Sequence, residues 1–147
     1  MDNKEEIRMV SQTTNKKGDV IRQIYDRYIN GKYFATVFTR VYGTASGLRR
    51  STRTVFAEPQ ENFECEFGQK MKLKMFEERR DIATDRVCER SYVNTFNEVF
   101  SKNYLTGECS FRNRLGLVTK SRVPVFAETL MRLTNRNLGF DAKGRDI

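Results

Sequence analysis

The chain has 147 residues, the length of one ordinary domain, with 27 Lys and Arg against 19 Asp and Glu and a formal net charge of +8. Only 38% of it is hydrophobic, but 11 Phe and 6 Tyr supply enough apolar area to exclude a disordered chain. Histidine is absent, which removes Ser-His-Asp, Cys-His and His–metal chemistry together.

Residues 1–17 are polar and ragged and read as a loose N-terminal arm. Asp19 then suits a helix N-cap and Asn30-Gly31 a helix stop, with Val20, Ile21, Ile24, Tyr25 and Tyr28 on one helical stripe between them. The spacing predicts a helix over 19–30. Residues 32–42, KYFATVFTRVY, and 48–57, LRRSTRTVFA, are rich in β-branched and aromatic residues and predict two strands. If Gly43 to Gly47 is a five-residue loop, Tyr42 faces Leu48, Phe38 faces Thr52 and Phe34 faces Phe56. Arg49 and Arg53 then fall on the other face, with Val37 and Val41.

After a turn at Glu58-Pro59-Gln60-Glu61, residues 62–76 alternate strictly. With Gly68-Gln69-Lys70 as a hairpin loop, Cys65 opposes Leu73 and Phe63 opposes Met75, while Glu66 meets Lys72 and Glu64 meets Lys74. Ile82, Val93, Phe96 and Phe100 fit a long helix over about 82–103. A strand over 109–119 and a helix opening at Pro124 follow, and residues 140–147 form a loose tail. No internal repeat or low-complexity tract is apparent. The expectation is a single α+β domain over 1–147. It is an antiparallel β-meander of about four strands with helices packed on one face, in the order α-β-β-β-β-α-(β)-α.

The three cysteines, Cys65, Cys88 and Cys109, form no CxxC pair and read as free, mostly buried thiols in a reducing compartment. MDNKEEIRMV has no apolar run of a secretory signal, and no stretch of about 18 apolar residues occurs, so an intracellular protein is expected. No cofactor motif is present, and the expectation is no cofactor and no membrane partner.

Charge is distributed in blocks. Lys32, Arg40, Arg49, Arg50 and Arg53 occur between residues 32 and 57 without an acid, and Arg112, Arg114, Lys120 and Arg122 between 109 and 127 likewise. Guanidinium forks at such density suit phosphate, and Tyr33 and Tyr42 offer rings for base stacking, while Phe34, Phe38 and Phe56 read as core. Asp81, Asp85 and Glu89 would share a helix face, an arrangement that more often is a solvated row than a metal site. These features point to a non-enzymatic nucleic-acid-binding protein that takes RNA or single strands. The alternative is a protein-interaction or assembly module, such as a viral accessory or structural protein, or an inhibitor docking on an acidic protein. Its acidic block at 58–66, flanked by bases, would also suit a homo-oligomer.

Overall fold

The computed structural model describes residues 4–65 and 70–121, and every regular element among them is a strand. These are β1 (Glu5–Thr14), β2 (Val20–Ile29), β3 (Lys32–Thr44), β4 (Gly47–Glu64), β5 (Lys70–Asp81), β6 (Val87–Asn94), β7 (Val99–Asn103), β8 (Cys109–Arg112) and β9 (Val118–Ser121). They form one nine-stranded sheet whose order is the order of the chain. The α+β expectation is therefore wrong: the described residues form an all-β antiparallel meander, with no helix among them.

The two errors have physical causes. Val20, Ile21, Ile24, Tyr25 and Tyr28 satisfy a helical stripe, but β-branched and aromatic residues also favour a pleated surface, and β2 pairs with strands on both sides. Asn30 and Gly31 have φ of 52° and 79°, so the dipeptide is a tight β2–β3 hairpin turn, not a helix stop. Residues 82–103 hold two turns and two strands where a single helix was expected. The helix opening at Pro124, the tail and Arg122 lie outside the described residues. Glu5–Thr14, expected within a loose arm, is strand β1.

The chain divides into two units. The first takes Met1–Glu58 and Met75–Cys88, and so holds β1, β2, β3, the larger part of β4, the end of β5 and the first two residues of β6. Few of its residues are fully buried: Ala35, Val37 and Cys88. Phe34 occupies a bulge where β3 meets β2, packs edge-on to Phe56 with ring centres 5.5 Å apart, and lies beneath the Arg27 guanidinium at 5.2 Å. The β3–β4 hairpin closes through Ala45-Ser46, with Thr44 opposite Gly47. The expected five-residue loop is thus too long, and the pairing moves by one residue. Tyr42 faces Arg49, Phe38 faces Arg53, and Phe56 faces Ala35. Because side chains alternate, the slip exchanges the faces.

The second unit takes Pro59–Lys74 and residues from Glu89 onward. Its core contains Cys65, Met71, Leu73, Tyr92, Phe100, Cys109 and Phe111, while Lys70, Lys72 and Lys74 stay exposed. Tyr92 opposes Phe100, which opposes Phe111, and the last two rings sit 4.7 Å apart. Phe63 extends this aromatic ladder to Tyr92 at 5.9 Å. Lys72 pairs with Glu61 at 3.1 Å, and Lys74 donates to Asn97 Oδ1 at 2.7 Å. The expected Glu66–Lys72 pair and the loop at 68–70 fall largely outside the described residues. All three cysteines are free and buried.

One turn recurs. Asn15, Asn94 and Asn113 each accept two backbone N–H bonds on Oδ1, from the residues two and four positions on, at 2.9–3.0 Å. The fourth residue of each, Gly18, Asn97 or Gly116, has φ of 86°, 61° or 90°, the left-handed region where glycine and asparagine are favoured. Asn103 accepts in a similar way from Leu105 and Thr106 in a turn one residue longer. The signal N-x-x-[G/N]-x is in the sequence, although it does not register as a repeat of ordinary length.

Candidate nucleic-acid interface

The corrected pairing assembles a basic face on the first unit. One row across the strands is Thr13, Arg22, Arg40 and Ser51. The next is Ser11, Ile24, Phe38 and Arg53. Tyr42 and Arg49 oppose each other on the same face beyond Arg40. The first two rows enclose a depression of about 410 Å³, whose lining includes Ser11, Thr13, Arg22, Ile24, Phe38 and Arg40. Hydroxyls rim it, guanidiniums flank it, and Ile24 and Phe38 supply apolar surface. Phe38 is 39% exposed, which is unusual for a phenylalanine.

The charges on this face are not uniformly compensated. Arg53 lies 3.6 Å from Glu77, which also meets Arg79 at 3.5 Å and accepts from the Ser51 hydroxyl at 3.3 Å. Glu77 therefore bounds the patch. Arg22, Arg40 and Arg49 form no ion pair with any described residue. The Arg40 guanidinium lies 5.2 Å from the Tyr42 ring, and Arg49 Nε is buried without a hydrogen-bond partner. Asp81 is the acid that feels Arg49, but weakly. Its carboxyl is held below the ordinary range chiefly by the Thr84 N–H and hydroxyl, which donate at 2.9 and 3.0 Å. Arg22 directly opposite Arg40 is a like-charge pair, which costs rather than contributes stability in a sheet.

The remaining candidates separate. Arg50 opposes Val41 and belongs to the other face. Tyr33 sits at the far end of β3, 5.8 Å from the Tyr28 ring, and its hydroxyl is hydrogen-bonded to Thr36, which donates to Asp26 at 2.6 Å. Arg112 and Arg114 are exposed in the second unit, and Lys120 approaches Glu108 at 3.8 Å there. Asp81 ends β5, Asp85 lies in the connection after it and Glu89 is in β6, and no metal-holding cluster occurs among the described residues. The sequence reading missed Arg22 and set Phe38 in the core. Part of the signal was present: with 19–30 read as a strand, the Asn30-Gly31 turn alone puts Arg22 across from Thr39 and Ile24 across from Val37, and the bulge at Phe34 moves them to Arg40 and Phe38.

Among the described residues, no helix is long and apolar enough to cross a membrane. No family model, curated protein or solved structure matches this chain.

Proposed function

We propose that the protein binds nucleic acid without catalysing a reaction, and that the first unit's basic face takes the phosphates of RNA or another single strand. The observation that carries this reading is the trio Arg22, Arg40 and Arg49. Three guanidiniums occupy one face of three adjacent strands with no carboxylate partner among the described residues, two of them directly opposed. An arriving phosphate relieves that opposition and supplies the missing acceptors. Phe38 and Tyr42 on the same face favour a single strand, whose unstacked bases have free ring faces to pack against them.

The test is binding of labelled single-stranded RNA and DNA, and of duplexes of equal length, across a salt series. Three phosphate contacts predict that log K falls with log salt at a slope of about −2 for a single strand. Replacing Arg22 and Arg40 together by Ala is expected to remove more than half of that slope and to weaken binding at least tenfold. Far-UV circular dichroism confirms that the sheet persists. Binding that ignores salt, or that survives the double substitution, overturns the assignment and directs attention to a protein partner.

A further inference from the structure

Strand β1 is the first in the sheet and, among the described residues, pairs on one side only. Exposed edges are ordinarily blunted, because their unpaired amides recruit other strands. This edge instead exposes Ile7, Met9 and Val10 at 58%, 51% and 59%.

The phase of the edge can be read from one bond. The Asn30 N–H donates to the Lys4 carbonyl at 2.8 Å, which turns the backbone groups of Lys4 toward β2. In an antiparallel pair the direction alternates, so Glu6 and Arg8 also bond inward while Glu5, Ile7 and Met9 present N–H and C=O to the free side. The bulge between Met9 and Ser11 ends this phase.

The exposed run is Glu5-Glu6-Ile7-Arg8-Met9. Reversed against itself about Ile7, it is self-complementary. Glu6 meets the partner's Arg8, Arg8 meets the partner's Glu6, and Ile7 meets the partner's Ile7. Glu6 and Arg8 already touch within one chain at 3.0 Å, so pairing extends an existing ion pair into a four-charge group. We propose that β1 pairs antiparallel with β1 of a second copy, with Ile7 opposite the partner's Ile7 about a two-fold axis. Outward amides of Glu5, Ile7 and Met9 all find partners in that register, and the apolar side chains at 7 and 9 gather on one face. The axis runs through the sheet, so the basic depressions of both copies open on the same side.

Sedimentation equilibrium over a micromolar concentration series tests this. The wild-type chain is expected to show a monomer–dimer equilibrium. Ile7→Pro removes an outward amide and leaves the inward bonds of Glu6 and Arg8 intact, so it should weaken the dimer at least tenfold with the circular dichroism spectrum unchanged. Glu6→Arg should weaken it similarly, and the double swap Glu6→Arg/Arg8→Glu should restore it. The register is read by oxidation. Ile7→Cys should cross-link across the two-fold, where paired Cα atoms about 5.5 Å apart suit a disulfide, and Arg8→Cys should not, because it faces the partner's Glu6. The native thiols are buried and do not compete. A wild-type chain that stays monomeric at every concentration overturns the proposal. So does a dimer indifferent to Ile7→Pro and to Glu6→Arg, or cross-linking that is no faster at position 7 than at position 8.

Discussion

Asn15 in the first unit and Asn94 in the second close the same five-residue turn with the same two backbone bonds, yet Asn15 is exposed and Asn94 is buried. The contrast extends to the strands that each turn joins. Those around Asn15 keep exposed or half-buried side chains, whereas those around Asn94 carry the aromatic ladder of Tyr92 and Phe100. Local turn chemistry fixes where a strand reverses and in what register. Burial decides how much that geometry matters to stability.

The largest test of this difference removes a ring from the ladder. Phe100 is 1% exposed and contacts Phe111, so Phe100→Ala should cost about 3–5 kcal/mol, enough to threaten folding of the second unit. Val37→Ala, at a buried position of the first unit, should cost about 2 kcal/mol. Urea denaturation followed by ring absorbance and by circular dichroism measures both. Equal losses would show that the first unit has a core of the same quality.

The turns give the intermediate test. Asn94→Ala strands the N–H groups of Phe96 and Glu98 and removes the Nδ2 donor held 2.9 Å from the Glu98 carboxylate. It should cost about 2 kcal/mol, because Asn94 is buried and all three of its bonds are partly shielded from water. Asn15→Ala frees the same pair of donors where water reaches them and should cost about 0.5 kcal/mol. If both cost the same, burial is not what separates the turns.

The smallest effect carries an unusual sign. Arg40→Thr removes the like-charge opposition to Arg22 and places a β-branched residue in β3, so stability should rise by a few tenths of a kcal/mol. Affinity for single-stranded RNA should fall in the same variant. A protein made firmer and less able to bind would identify this pair as retained for a ligand. A variant that loses stability would give Arg40 a structural role.

Parts of this were legible in the chain and parts were not, for separable reasons. Residues 32–42 and 48–57 announce strands because their aromatic and β-branched content has no competing helical pattern. Residues 19–30 satisfy both periods, and only pairing with β1 and β3 decides between them. That misreading hid Arg22, since its significance lies entirely in what stands across from it. The β3–β4 register failed by one position because Gly43 and Gly47 look like loop boundaries, yet both belong to strands and the turn is Ala45-Ser46. The one-residue error sent Arg49 and Arg53 to the wrong face. Arg40 and Tyr42 were found because composition alone marks them. Phe38 was misplaced because a phenylalanine is ordinarily core, and the solvated face that exposes it follows from the architecture.

The strand order has a consequence for how the molecule comes into being. Each strand bonds to those immediately before and after it in the chain, so successive partners are a single turn apart. Closing a short loop costs little chain entropy, and folding rates rise as contacts become more local. An all-β sheet is ordinarily slow to form because its pairings are distant. Here each completed hairpin presents an edge on which the next strand can zip down. The protein can therefore lay its sheet in the order of synthesis, with β1 and β2 joined while the later strands are still emerging.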